Sequence, residues 1–127
     1  MRTKVLPIVL AMVVCGSIWA AGVASAGTVA ETTVTIKTAN GDFWGTVDSS
    51  RPRMCARNRK IVVFKQLGAV QDPSVDERIA SDIASLSGDR YEWNTGNTGA
   101  SNGKYYARAG RTTYCKADSS KTVRSVR

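Results

Sequence analysis

The sequence predicts an all-β protein, namely a single-domain antiparallel β-sandwich of about seven strands that carries one disulfide. Three observations point to this fold. Short β-branched and aromatic runs alternate apolar with polar residues, and turn-forming pairs such as Asn40-Gly41 separate these runs. Two cysteines also remain once an N-terminal export signal is set aside.

Residues 1–26 are typical of a secretory signal peptide. Arg2 and Lys4 precede a mostly apolar run, and the small residues at 24–26 form a cleavage site. A retained membrane anchor is the alternative, but a glycine and a serine interrupt the apolar run. We expect cleavage after residue 26, which leaves 27–127 as one β-sandwich domain that is secreted, either periplasmic or extracellular, with no transmembrane segment.

Composition restricts the chemistry of this domain. The full chain has a net charge of +8 and no histidine; the first 26 residues hold Arg2, Lys4 and no acid, so +6 remains. Without histidine, the usual general base at neutral pH and the Ser/His/Asp arrangement are missing. The sequence shows no P-loop or dinucleotide-binding glycine pattern and predicts no cofactor. A hydrolase that uses two of the ten acids stays open.

Cys55 and Cys115 are predicted to form a disulfide. Cys15 belongs to the discarded segment, and an isolated pair in an exported chain is most simply bridged. A reactive cysteine and a metal site are the alternatives. A structural zinc takes four ligands, and two thiols without any histidine fall short of that number.

The first predicted element is a β-hairpin. Val34 and Ile36 alternate with polar residues before the Asn40-Gly41 turn, and in the second strand Phe43, Gly45 and Val47 lie on the face opposite to that of Trp44. Residues 61–66 (IVVFKQ) are then predicted to form an interior strand, because apolar residues occupy both faces of this segment. A loop broken by Pro73 follows.

The segment 78–86 is ambiguous. Ile79, Ile83 and Leu86 have nearly helical spacing, so a short helix is one interpretation. The turn at 87–89 and the alternation around Tyr91 and Trp93 favour a second hairpin, and strands are therefore predicted.

Two further strands complete the domain. After the polar loop 94–103, the segment KYYARA places Tyr105, Ala107 and Ala109 on one face and Tyr106 with Arg108 on the other. The segment SKTVRSVR closes the sheet as a last strand.

The succession of strand motifs resembles the transthyretin-like or carboxypeptidase-regulatory-like β-sandwich of secreted bacterial proteins. The motifs are T-V-T-I with D-F-W-G-T-V, C-A-R-N-R-K-I-V-V-F, S-D-I-A-S-L-S-G-D-R-Y-E-W, and N-G-K-Y-Y-A-R-A followed by Y-C. They extend from about Val34 to Val126 and describe how a sandwich is built. The resemblance implies a non-catalytic module, since most members have no activity of their own.

The stretch RPRMCARNRK (51–60) is the most conspicuous feature of the sequence. A regular strand would place its arginines on one face with Cys55, and a buried face cannot hold four unpaired charges. We therefore expect an irregular or edge segment with the arginines in water, followed by a strand that begins near Lys60. The candidate anion-binding residues are Arg51, Arg53, Arg57, Arg59 and Lys60.

The disulfide gives this stretch a second interpretation. It brings the cluster beside Arg111, Lys116 and Lys121, which would form one electropositive end. Residues 71–92 hold six acids against Arg78 and Arg90, a local charge of −4, so the molecule is expected to be dipolar. A positive end attracts anionic polymers or lipid head groups, but no nucleic-acid-binding motif accompanies it.

Aromatic residues offer another type of site. The residues assigned to the core are Phe43, Phe64, Tyr91, Trp93 and Tyr105. Trp44 and Tyr106 have the opposite parity from their apolar neighbours, so each is either an exposed platform for a sugar or peptide or a residue packed beneath a loop.

Three functional hypotheses follow. The first is a non-catalytic exported module with a structural or binding role at the cell envelope or outside the cell. The second is a module that binds an anionic polymer, a glycan or another envelope component through the basic stretch. The third is a small carboxylate-dependent hydrolase, which requires two acids in one cleft.

Overall fold

A computed structural model describes residues 28–127. The predicted signal peptide therefore lies outside the described residues. The elements in chain order are β1 (Thr32–Val34), β2 (Lys37–Ala39), β3 (Asp42–Ser49), α1 (Pro52–Cys55), β4 (Lys60–Lys65), β5 (Glu77–Ile83), β6 (Ser85–Ser87), β7 (Arg90–Asn97), β8 (Gly103–Ala109), β9 (Asp118–Ser119) and β10 (Val123–Ser125). No described helix is long and apolar enough to span a bilayer.

Two antiparallel sheets face each other, which confirms the predicted sandwich. The first sheet has the order β1-β3-β7-β6 with β2 also beside β3, and the second has the order β10-β8-β4-β5 with β9 also beside β8. Because β1 and β2 share one side of β3, and β9 and β10 share one side of β8, each pair fills a single strand position. Each sheet therefore has four strand positions. Since β5 and β6 follow one another directly from the second sheet to the first, seven successive runs of the described chain fill these positions, in an immunoglobulin-like Greek-key order.

The first hairpin forms as its sequence predicts. β2 pairs with the beginning of β3, and the two linking residues, Asn40 and Gly41, have φ values of 50° and 85°. Two consecutive positive φ angles are the requirement of a type I′ turn, which Asn-Gly meets at low cost.

The ambiguous segment 78–86 is β-structure, as predicted. β5 pairs with β4 along its whole length, whereas β6 pairs with β7. Between them, buried Ala84 exchanges backbone hydrogen bonds with Asn58 and Arg59, which fixes the point where the chain changes sheets. Leu86, which a helix would have turned inward with Ile79, is 61% exposed. Hydrogen bonding between β5 and β4 therefore keeps this segment extended, although the spacing of its apolar residues is nearly helical.

Alternate residues of β3, β4, β7 and β8 fill the space between the sheets. Phe43, Trp93 and Tyr105 are fully buried there, and Tyr91 packs partly buried against them. Gly45 lies in the same layer, where an added Cβ would come within 2.0 Å of the Thr35 carbonyl oxygen. The edge strand passes so close at this point that no side chain can be accommodated.

The structure corrects the assignment of Phe64 to this central core. Phe64 points to the outer side of the second sheet, where its ring stacks on Tyr106 at 5.3 Å between centroids. Tyr106 is fully buried, so it is the residue beneath a loop rather than an exposed platform. The loop 66–76 contacts Tyr106 through Asp76, and the Arg78 guanidinium lies over the Phe64 ring at 5.6 Å from its centroid. The alternation of polar and apolar residues within one strand cannot reveal such coverage.

Asp76 holds this covering loop to the sheet. Its carboxylate accepts hydrogen bonds from the backbone N–H groups of Leu67 (3.0 Å) and Asp72 (2.7 Å) and from the Tyr106 hydroxyl (2.6 Å). These bonds, the one from Leu67 first, hold the pKa of Asp76 below its usual value. Burial, with the neighbouring carboxylate next, raises the pKa of Tyr106.

These pKa shifts predict how the stabilising effect of Asp76 depends on pH. A carboxyl group whose pKa is lowered by folding stabilises the folded state fully above its unfolded pKa of about 4, and this stabilisation is lost as the pH falls through the folded pKa. We therefore expect Asp76→Asn to lower the urea midpoint at pH 7 and to differ much less from wild type at pH 2–3. Asp89→Asn, in the exposed β6–β7 turn, is the control; a gap between wild type and Asp76→Asn that stays constant over this range would contradict the assignment.

Candidate anion-binding surface

The disulfide predicted from the sequence is present. The sulfur atoms of Cys55 and Cys115 are bonded at 2.03 Å, with 5.5 Å between the Cα atoms. Both cysteines are buried against Ala30, whose backbone bonds to Tyr114 and Lys116. The bond thus joins α1 to the connection between β8 and β9, and the start of the described chain packs on the same junction.

The basic stretch is irregular, as expected. Pro52 opens the single helical turn α1, because its fixed φ suits the first helical position and its missing N–H is not needed there. Asn58, with φ 55°, then turns the chain into β4, which begins at Lys60. Since the segment is not a strand, its alternating parity does not place the arginines on one face.

Arg51, Arg53 and Arg57 are exposed, but Arg59 departs from the expectation that every guanidinium points into water. Arg59 is 6% exposed. Its guanidinium donates to the carbonyl oxygens of Cys55 (3.0 Å), Gly110 (2.5 Å) and Lys116 (3.0 Å). Burial lowers the pKa of Arg59 from its usual value. Three of its five N–H donors are bonded to backbone carbonyl oxygens inside the protein, so Arg59 has a structural role.

Exposed cations border three adjoining hollows at this end of the sandwich. Arg51 and Arg53 border the first, beside Met54. The second, of about 400 Å³, lies between Arg53, Arg57 and the side chains of Leu86 and Tyr91.

The third hollow, also of about 400 Å³, begins on the other side of Asn58. Its exposed cations are Lys60 from β4, Arg78 from β5 and Arg111 from the β8–β9 connection, and the buried Arg59 also borders it. Within the described part of the chain, no carboxylate borders any of the three hollows. We name the row of cations around them the basic track; it consists of Arg51, Arg53, Arg57, Lys60, Arg78 and Arg111.

The track contains residues that the sequence placed elsewhere. Arg78 was expected in an acidic pole at 71–92, yet the antiparallel pairing of β5 with β4 brings it next to the third hollow. Lys116, which the sequence added to the basic end, forms an ion pair with Glu31. Lys121 borders none of the hollows.

Half of the six acids in the expected acidic pole bond to the backbone. Asp72, Asp76 and Asp82 each accept a hydrogen bond from a backbone N–H. Asp82 and Glu92 nevertheless border one groove on the first sheet. This is the arrangement that the hydrolase hypothesis requires, and the hypothesis stays a prediction.

Comparison with family models, with curated proteins and with solved structures finds no match for this chain. The transthyretin-like relationship expected from the strand motifs therefore stays a prediction, and function is argued from the surface itself.

Proposed function

We propose that the protein is an exported binding module that takes an anionic polymer along the basic track. One observation supports this above all: none of the six cations of the track has a carboxylate within 4.0 Å among residues 28–127. Unpaired cations side by side repel one another and attract counterions, so a bound polyanion gains free energy by releasing those counterions.

The scaffold beneath the track supports binding because it is covalently and sterically constrained. The disulfide and Arg59 both tie the segment that carries Arg53 and Arg57 to the segment that carries Arg111. A preordered loop loses less conformational entropy when a ligand binds than a free loop does.

The shape of the track favours a polymer over a single small anion. Its cations border three successive hollows rather than converging in one enclosed pocket. Each exposed contact contributes little alone, but several contacts along one chain add together. With export as the expected route, an acidic polysaccharide of the envelope or its surroundings is the ligand class we propose, ahead of nucleic acid.

A charge-matched pair of variants tests this function. In the track variant, glutamine replaces four cations, Arg53, Arg57, Lys60 and Arg111. In the control, glutamine replaces four cations at the opposite end of the sandwich, Lys65, Lys104, Arg124 and Arg127. Both variants carry the same net charge and both retain Arg59, which is structural.

We expect the track variant to elute from a heparin column at much lower salt than wild type and to bind soluble heparin at least about tenfold more weakly. The control is expected to stay close to wild type, and the salt dependence of the dissociation constant should become shallower only in the track variant. Equal losses in both variants would show that retention follows net charge alone, which would refute the proposal.

A further inference from the structure

A second surface of this protein has the features of a ligand site. A groove of about 610 Å³ runs over the outer face of the first sheet, bordered by β2, β3, β6 and β7. This volume lies within the range of about 300–1,000 Å³ that is usual for small-molecule sites. Among residues 28–127, this groove and the hollows of the basic track have Ser85 in common, but no cation of the track borders the groove.

Trp44 lies on the outer face of the first sheet and borders this groove. It lies between Lys37 of β2 and Asn94 of β7, which are its direct cross-strand neighbours. Its side chain is only half-buried, whereas Trp93, which pairs with the neighbouring Gly45 and also borders the groove, is buried in the core. A planar, partly exposed indole is a large and rigid contact surface for an apolar face of a ligand.

Polar side chains surround this platform. Arg90 and Glu92 of β7 and Ser85 and Ser87 of β6 border the groove, and none of these four side chains forms a hydrogen bond within residues 28–127. The Asn94 side chain accepts a bond from the Gly96 N–H at 2.7 Å, which leaves its two amide hydrogens for a ligand. The groove thus offers donors and acceptors at several points.

The charge of the groove separates it from the basic track. Two cations, Lys37 and Arg90, are balanced by two acids, Asp82 and Glu92. A polyanion gains nothing from a region without net charge, and an apolar ligand would leave these polar groups without partners. Balanced charge with many hydrogen-bonding groups suits a neutral ligand rich in hydroxyl groups.

The backbone of the groove gives no other means of recognition. β3 is paired on both sides, with β1 or β2 and with β7, and β7 is paired with β3 and β6. An extended peptide could add a strand only at the outer edge of β2 or β6, which lies beside the groove and not across Trp44. Binding in the groove must be made by side chains.

We propose that this groove binds a neutral oligosaccharide, with Trp44 stacking on a sugar ring and Asn94, Arg90 and Glu92 bonding its hydroxyl groups. This inference goes beyond the proposed polyanion binding, since it concerns another face, other residues and an uncharged ligand. A sugar ring has an apolar C–H face and a rim of hydroxyl groups, which matches a half-exposed indole within a polar groove.

The experiment uses the secreted protein and neutral oligosaccharides of β-glucan, mannan and chitin, titrated while backbone amide NMR shifts are recorded. We expect one of these to shift the amides around Trp44 and Asn94 with a dissociation constant that changes little between low and high salt. Trp44→Ala should weaken this binding at least about tenfold, and Trp44→Phe should restore part of it. Tyr114→Ala, which removes another exposed aromatic side chain at the disulfide end, is the matched control.

Heparin retention separates this proposal from the previous one, because Trp44→Ala should leave it unchanged if the variant is folded. Should Trp44→Ala fail to fold, Asn94→Ala and Glu92→Gln supply the same test from the rim of the groove. The proposal is overturned if no neutral oligosaccharide binds at millimolar concentration, or if Trp44→Ala binds as wild type does. It is also overturned in favour of a hydrolase if wild type releases new reducing ends and Glu92→Gln does not.

Discussion

Replacing Cys55 and Cys115 by alanine is expected to lower the free energy of unfolding by about 4 kcal/mol. The two residues are 60 positions apart in the sequence. A link over that distance removes much of the conformational freedom of the unfolded chain, and the folded state is stabilised by comparison. Since a small domain has a total stability of about 5–15 kcal/mol, this loss is a large fraction of the whole.

Urea unfolding of the double variant and of reduced, alkylated wild type measures this effect. Each single cysteine variant is expected to be about as unstable as the double variant, because either substitution opens the same link. Intact mass before and after reduction reports whether the bond is present in the purified protein. A loss of stability below about 1 kcal/mol would mean that the unfolded chain is already restricted without the disulfide.

Arg59→Met is expected to destabilise the protein by about 3 kcal/mol, because leaving a buried acceptor without its donor costs about 1–3 kcal/mol and more than one acceptor is affected. The guanidinium bonds three carbonyl oxygens that belong to α1 and to the β8–β9 connection. Methionine fills much of the volume but leaves all three acceptors without their donor, and a buried acceptor without a partner is itself costly.

Two variants serve as controls for this effect. Arg59→Lys keeps the charge, but one ammonium group cannot span acceptors on three residues as a planar guanidinium does, so we expect an intermediate loss. Arg57→Met changes an exposed arginine two positions away and should stay within about 0.5 kcal/mol of wild type. Arg59→Met with wild-type stability would refute the structural role, and the residue would then return to the set of candidate ligand-binding cations.

The two effects should not be additive, because the disulfide and Arg59 hold the same pair of segments. Once the link between α1 and the β8–β9 connection is opened, the carbonyl oxygens around Arg59 are no longer held in place, and removing the guanidinium costs less. The same dependence connects stability to the proposed function, since this junction positions Arg53, Arg57 and Arg111.

Much of the architecture could be predicted from local sequence. The Asn40-Gly41 pair specified the first turn, and apolar residues on both faces of 61–66 marked an interior strand. The charges of the basic stretch excluded a regular strand and placed the start of β4 near Lys60, where it is found. These features depend on backbone preferences and on the side-chain alternation of a strand, which act over a few residues.

The site could be predicted only in part. The cations of 51–60 are visible in the sequence, and Arg111 was expected beside them once the disulfide was assumed. Arg78 could not be placed there, because its position depends on the register of β5 against β4, where a bulge near Phe64 shifts the pairing. The role of Trp44 was left open, since parity alone does not show whether other residues cover a side chain.

The sequence by itself determined the strand order along the chain, the first turn, the disulfide partners and the presence of a basic segment. Only the tertiary structure decided which charges and rings are buried: Arg59 is bonded to carbonyl oxygens as far as 57 residues away, and Tyr106 is covered by a loop held through Asp76. The physical reason is that burial depends on what packs from elsewhere in the chain. Arg57 and Arg59 are therefore the same residue type in the same basic stretch, yet Arg57 is exposed and Arg59 is buried.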